Sequence, residues 1–311
     1  MCIRDSYSIA GVVLTSIMIP VPLAGLQGLQ NFNALGISMA CMNIVKLLFA
    51  VFFIKIGFGV TGALNSITVS NLLCLIFAAQ ILGKTLKSIE TGEGRPVNVN
   101  FKEIYLYILP VSLATLSFVI LTHVDLILVK HFFAPIEAGY YSIAQTIGKM
   151  VLFIPVAVCM VMLPKVVNSY AKKEETLSYL KHSTLYIIAL VVLSALVLLF
   201  FPEMLLKVLT GKVYIQSLPL IRRYAFSMGF FAISFNFLLY YLSLSRPKYL
   251  IPFLAALLIE TVIIYFWHSS LIQILNVVIA VSLALLLVNV CLLYTSPSPR
   301  DRTRSRMPSS A

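Results

Sequence analysis

Residues 34–54 read ALGISMACMNIVKLLFAVFFI, an apolar stretch that is interrupted near its middle by Lys46. A stretch of roughly 20 apolar residues is long enough to cross the hydrocarbon core of a membrane as a helix. A lysine at that depth is costly when it faces lipid, so such residues normally face a protein-lined cavity and mark what passes through it. The stretch therefore predicts a membrane-spanning helix that carries a cation on its protein-facing side.

The same pattern fills most of the 311-residue chain. The chain is 60% hydrophobic and 11% charged, whereas an ordinary soluble domain is about 25% charged. The predicted fold class is therefore an all-α polytopic membrane protein. Nine spans are predicted, near residues 8–26, 34–54, 59–82, 104–124, 138–163, 182–201, 214–243, 250–267 and 271–290.

The basic residues predict an orientation rather than a nucleic-acid partner. The formal net charge is +12, but the lysines and arginines lie mostly in short segments between spans and form no single patch. Four, four and two of them fall in segments 83–103, 164–181 and 244–249, against one, one and two in segments 54–58, 125–137 and 202–213. The positive-inside rule predicts that the first set is cytoplasmic.

The two ends of the chain are expected to be non-native. Met1–Asp5 can be written as ATG TGT ATA AGA GAC, and the reverse complement of that run, extended, can encode Cys291–Ser296. This element resembles a transposase adapter used to make sequencing libraries, and Pro297–Asp301 continues the resemblance. We therefore predict adapter translation at residues 1–6 and 291–311 and exclude both from the fold.

The longest connection between spans predicts a division into two parts. Segment 83–103 reads GKTLKSIETGEGRPVNVNFKE, and its Gly, Pro, Asn and mixed charges are typical of a solvated linker. It separates three spans, in residues 7–82, from six, in residues 104–290. If the fold is a pair of six-span repeats, the chain is half of an N-terminal lobe and a complete C-terminal lobe, with three spans lost before Tyr7.

Buried cations are the main candidates for a substrate-binding site. Lys46 lies one turn from Asn43, and the i, i+4, i+8 spacing of Tyr141, Gln145 and Lys149 places these three on one helical face. Arg222 and Arg223 are adjacent and point about 100° apart, so at most one faces the same line and the other can reach the headgroups. The predicted substrate-binding residues are Asn43, Lys46, Gln145, Lys149, Arg222 and Arg223.

Asp125 and Glu260 are the carboxylates at or near membrane depth. Either one can pair with a buried cation, or bind a coupling proton or sodium ion. Asp125 can also be a residue near the surface at the outer mouth. The four histidines fall near span ends, where an interfacial position is expected.

The polar residues of the third span leave two interpretations open. Thr61, Asn65, Thr68 and Asn71 lie along one face, and such a stripe can hold helices together or line a polar passage.

Signatures of catalysis and of cofactor binding are absent from the sequence. There is no Gly-rich phosphate loop, no closely paired carboxylates and no nucleophile–histidine grouping. Cys41, Cys74 and Cys159 lie in apolar spans without metal or disulfide spacing, and we predict small buried hydrophobes. The prediction is a protein that is not an enzyme, with no cofactor and no metal.

A resemblance to a known protein family implies which cargo the protein transports. The segment DLILVKHFFAPIEAGYYSIAQTIGKM at 125–150, and LPLIRRYAFSMGFF at 218–231 followed by SRPKYL, resemble the polysaccharide flippases. These are the O-antigen exporter branch of the superfamily that also contains the multidrug MATE antiporters. The resemblance implies a MATE-like helical bundle in the bacterial cytoplasmic membrane, a lipid-linked oligosaccharide with an anionic diphosphate headgroup as cargo, and polysaccharide assembly machinery as a partner.

Two alternatives stay open beside the flippase. A cation-coupled MATE exporter of drugs or metabolites would need acidic residues to dominate its cavity. A membrane-embedded glycosyltransferase or polymer ligase generally carries a large extracytoplasmic loop. The basic interior favours the flippase, because a diphosphate needs cationic partners where water is excluded.

Overall fold

The computed structural model describes residues 3–90, 101–172, 174–244 and 249–295, and all of its long elements are helices. The chain divides into two compact units, Met1–Val99 and Asn100–Ala311. The helices of unit 1 are α1 Ile3–Met18, α2 Pro20–Gly28, α3 Phe32–Lys55 and α4 Gly59–Glu90. Those of unit 2 are α5 Phe101–Leu121, α6 Val124–Phe132, α7 Pro135–Gly148, α8 Met150–Ala171, α9 Leu177–Phe200, α10 Pro202–Thr210, α11 Leu218–Ser243, α12 Leu250–Phe266 and α13 Leu271–Thr295.

The helices have the length and composition of membrane spans, which confirms the predicted fold class. Eight candidate spans are long and apolar enough to cross a membrane within the described residues, and α12 is a shorter apolar helix. Large apolar side chains cover the outward faces of both units. Backbone groups are satisfied within helices, as hydrocarbon requires. The chain is a multi-pass membrane protein.

Each unit is built around one helix. In unit 1, α4 packs against α1, α2 and α3. Gly57, in the turn between α3 and α4, and Gly59, the first residue of α4, have φ angles of 95° and 54° that suit residues without a side chain. In unit 2, α11 packs against α7, α8, α9 and α13 and is the most deeply buried of the spans.

Two spans of unit 2 are longer than predicted, and each contains a break. Segment 125–137, expected to be a loop, is mostly helical because the apolar run after Asp125 continues to Val129 in α6. The fourth span therefore consists of α5 and α6, and the fifth consists of α7 and α8. Pro164, which directly follows the predicted span 138–163, lies inside α8, since neighbouring helices let spans tolerate proline.

The segment between α4 and α5 is shorter than the predicted linker 83–103. Helix α4 continues to Glu90 because Lys84, Leu86 and Lys87 are good helix formers, and α5 begins at Phe101. Residues 91–100 lie outside the described residues. Within the two predicted adapters, α1 begins at Ile3 and α13 continues to Thr295. Residues 1–2 and 296–311 of the adapters lie outside the described residues, as do residues 245–248 of segment 244–249.

Candidate functional site

A buried carboxylate lies at the break between α5 and α6. Helix α5 ends at Leu121, and Asp125 occupies the first turn of α6 with 1% of its surface exposed. Asp125 is therefore buried inside the protein. The first turn of a helix presents unpaired N–H groups and the positive end of the helix dipole, which favours a negative charge there.

Three side chains from two other helices donate hydrogen bonds to Asp125. The Tyr141 hydroxyl donates to Oδ2 at 2.8 Å, and Nε2 of Gln145 donates to Oδ1 at 3.0 Å. The Tyr224 hydroxyl, from α11, also donates to Oδ2. We call Asp125, Tyr141, Gln145 and Tyr224 the Asp125 cluster. It joins α6, α7 and α11 through one carboxyl group.

The close approach of α11 to α7 depends on Gly148. A Cβ atom at this position would lie 2.7 Å from both Cβ and Cδ1 of Tyr224. Such a separation is far shorter than a van der Waals contact, so Gly148 is what allows the Tyr224 ring to reach Asp125.

Lys149 lies at the break between α7 and α8, and only 5% of its surface is exposed. Its ammonium nitrogen is 2.9 Å from Nδ1 and 3.1 Å from Nε2 of His123. An ammonium group can only donate, so the histidine nitrogen that accepts must be unprotonated. Among the described residues Lys149 forms no ion pair, although it is close enough to Asp125 for their charges to interact.

Glu260 on α12 is the second buried carboxyl group. None of its surface is exposed, and neither carboxyl oxygen has a hydrogen-bond partner within the described part of the chain. Its charge and that of Asp125 interact. An ionised carboxylate without partners is costly to bury. Glu260 therefore requires a bound proton or a cation.

Lys46 and Asn43 lie on α3 in unit 1. Nζ of Lys46 donates to Oδ1 of Asn43 at 3.0 Å, and Asn43 in turn donates to the Met39 carbonyl at 2.9 Å. Lys46 is half-buried and Asn43 is exposed. The two residues, one turn apart in sequence, are in contact, and Lys46 is less buried than Lys149.

The two arginines differ in exposure. Both lie in the first turns of α11, where Arg222 is exposed and Arg223 is half-buried. Their side chains therefore face different surroundings, as expected of adjacent helical positions.

The sequence pattern missed Tyr224, His123 and Gly148. Tyr224 directly follows the two arginines, yet nothing in its local sequence indicates a partner 99 positions away. His123 was expected near a membrane interface; its side chain is exposed and also contacts Lys149. Proximity in sequence to Asp125 was the available signal for His123.

The sequence matches no protein-family profile and no curated protein sequence. Solved structures do match. A crystal structure of a MATE mutant has a TM-score of 0.73 and 15% identity over 97% of this chain and 69% of that one. The chain has the MATE fold.

Two further MATE structures are similarly close. An outward-facing multidrug resistance MATE family transporter of the MOP superfamily has a TM-score of 0.71 and 16% identity, over 94% of this chain and 71% of that one. MATE in the straight conformation has a TM-score of 0.71 and 14% identity, over 94% and 69% of the respective chains. On this fold, a buried carboxyl group in the Asp125 cluster lies one helical turn of α7, from Gln145, away from the buried ammonium group of Lys149.

Proposed function

We propose that this protein is a membrane transporter that flips polyprenyl-diphosphate-linked oligosaccharides across the bacterial cytoplasmic membrane. The observation that supports this cargo is the buried ammonium group of Lys149, which has no carboxylate partner among the described residues. A diphosphate supplies the missing counter-charge. Charge-assisted hydrogen bonds to phosphate oxygens are also about twice as strong as neutral ones.

Other polar groups complete the proposed binding set. In unit 2, Gln145 on α7 lies one turn before Lys149. In unit 1, Lys46 and Asn43 are a separate proposed contact for the cargo, with a cation and an amide. Of the two arginines, we assign half-buried Arg223 to the cargo. Each of these groups can bind phosphate or sugar oxygens.

Asp125 and Glu260 are our candidates for the coupling site. Asp125 accepts hydrogen bonds from Tyr141 and Gln145, whereas Glu260 has no hydrogen-bond partner within the described residues. Because the charges of Lys149 and Asp125 interact, an anion bound at Lys149 reduces the positive potential at Asp125 and favours its protonated form. Cargo binding and proton binding would then promote each other.

A second candidate function is a cation-coupled exporter. The two buried carboxyl groups favour it, because a lipophilic cation would find its counter-charge at Asp125 and Glu260 rather than at Lys149. The two functions therefore predict opposite charge preferences for the same region of unit 2.

Binding to the purified chain distinguishes the two functions. We expect a short-chain polyprenyl diphosphate to bind, and Lys149→Ala to weaken it by roughly 10-fold to 100-fold, the value of a charged hydrogen bond. Lys165→Ala is the matched control, because Lys165 is exposed on the neighbouring helix α8. Tight binding of a lipophilic cation that is lost in Asp125→Asn, with no diphosphate binding, would establish the exporter instead.

Transport is then tested in cells that lack their own flippase. Restored surface polysaccharide that is lost in both Lys46→Ala and Lys149→Ala, at normal protein levels, supports the proposal. Full activity of both variants contradicts it.

A further inference from the structure

A groove runs along the outside of unit 2 between α9 and α11. It has a volume of about 270 Å³ and is lined by six aliphatic residues of α9, between Ile188 and Leu199, and five apolar residues of α11, between Ala225 and Ile233. Val192 and Phe226 at its edges are 50% and 45% exposed. Both helices are membrane spans, so this groove, which we call the α9–α11 groove, opens towards lipid.

The floor of the groove is formed where the two helices approach most closely. A Cβ atom at Gly229 would lie 2.7 Å from Cγ1 of Val191. Because Gly229 has no Cβ atom, the two helices lie close together beneath the lining side chains.

The length of the groove matches one leaflet. The lined part of α9, from Ile188 to Leu199, rises roughly 16 Å, which is about half of the ~30 Å hydrocarbon core. On α11 the lining from Ala225 to Ile233 rises roughly 12 Å, and Arg222 lies one turn before it. A fatty acyl chain of one phospholipid fills such a distance, whereas a long polyprenyl chain exceeds it.

A cation lies at the end of the groove. Arg222 is exposed, and Phe226, Gly229 and Ile233 follow it at i+4, i+7 and i+11 on the same face of α11. The short helix α10, with exposed Met204 and Val208 beside exposed Lys207, lies between α9 and α11 in the chain. A helix with this composition is typical of the membrane interface. Arg222 is therefore at headgroup depth.

We infer that the α9–α11 groove holds one acyl chain of an anionic phospholipid whose headgroup is bound by Arg222. Basic side chains at the ends of spans bind anionic headgroups, and the apolar walls remove the chain from the surrounding bilayer. The inference concerns a resident lipid and does not depend on the cargo of the transporter.

Native mass spectrometry of the purified full chain tests this site. The protein is titrated with phosphatidylglycerol, or with phosphatidylcholine carrying the same acyl chains. One tightly retained phosphatidylglycerol is expected, preferred about fivefold over phosphatidylcholine because a single arginine favours the anionic headgroup. Arg222→Gln should abolish the preference, and Arg223→Gln, which points about 100° away, should preserve it. Equal effects of the two variants would overturn the role of Arg222.

Filling the groove tests the acyl chain separately. Ala195→Trp places a large ring among the lining residues, whereas Ala189→Trp makes the same change at an exposed position of α9 outside the lining. We expect Ala195→Trp alone to lose the retained lipid. Retention of the lipid by both variants overturns the inference.

Photo-crosslinking keeps the test independent of whether Ala195→Trp folds. Phosphatidylglycerol with a diazirine on one acyl chain should label the unaltered protein within 188–199 or 225–233. Labelling confined to other segments would show that no acyl chain occupies the groove.

Discussion

The two units hold their helices together with polar groups of different kinds. In unit 1, Nδ2 of Asn71 on α4 lies 3.2 Å from both the Thr15 and Ser16 hydroxyls on α1. These groups are neutral at every physiological pH. Unit 2 has neutral bonds of this kind as well, from Asn236 on α11 to Ser183 and Thr184 on α9, but it adds the carboxyl group of Asp125, which can gain or lose a charge. The contacts of the Asp125 cluster can therefore be changed by one proton, whereas those of Asn71 cannot.

Asn71 also settles one of the interpretations that the sequence left open. Its hydrogen bonds join α4 to α1, so at this position the polar stripe holds helices together. Interhelical hydrogen bonds of this kind contribute about 0.6 kcal/mol on average in membranes, a modest stabilisation that suits a structural role.

The largest difference between the two units is expected when Asp125 is replaced by Asn. This change keeps the size of the side chain and one oxygen that accepts from the tyrosines, but it removes proton exchange. We expect substrate-induced proton movement into vesicles, followed with an enclosed pH-sensitive dye, to fall to the level of protein-free vesicles. Asn71→Ala in unit 1 should lower the unfolding temperature slightly and leave proton movement intact. Undiminished proton movement in Asp125→Asn would move the coupling role to another group, with Glu260 the first to test.

A smaller effect is expected from removing one hydroxyl of the Asp125 cluster. Tyr224→Phe deletes a hydrogen bond to a carboxyl group and should cost about 1.5–3 kcal/mol if that group is ionised. Tyr241→Phe on the same helix deletes a bond to the Asn289 carbonyl, 2.9 Å long, and should cost about 0.5–1.5 kcal/mol. The two losses are compared by unfolding in the same detergent. Equal losses would mean that Asp125 is neutral in the resting protein.

An effect slightly smaller than that of Tyr224→Phe is expected from crowding the packing beneath Tyr224. Gly148→Ala introduces a methyl group 2.7 Å from two atoms of that ring, and overpacking of this kind costs about 1–3 kcal/mol. Gly139→Ala on the same helix meets open space, and the better helix propensity of alanine should stabilise the helix by up to about 1 kcal/mol. A stabilised Gly148→Ala variant would show that the ring has room to move.

Periodicity made part of the site predictable. The spacing of Tyr141, Gln145 and Lys149 placed them on one face, and in the structure all three are buried, with two of them bonded to Asp125. The all-helical fold followed from span length and composition for the same reason. Both depend on local regularities that a helix imposes on its own sequence.

Contacts between distant segments could not be predicted in this way. Tyr224 comes from another helix, and its contact with Asp125 depends on how α11 packs against α7. The breaks within the fourth and fifth spans could not be predicted either, because neither the apolar run of α6 nor the prolines of α8 mark where a helix ends. Lys46 and Lys149 looked alike in sequence, and only the packing of the neighbouring helices makes one half-buried and the other buried.

The missing side chain at Gly148 has an evolutionary consequence. A tyrosine at position 224 fits only while residue 148 has no Cβ atom. Relatives that keep this tyrosine should therefore keep glycine at 148, while those with a smaller residue at 224 are free to carry alanine or serine there. The two positions should change together across the lineage, and an alignment in which they vary independently would show that the helices of unit 2 shift apart to accommodate both.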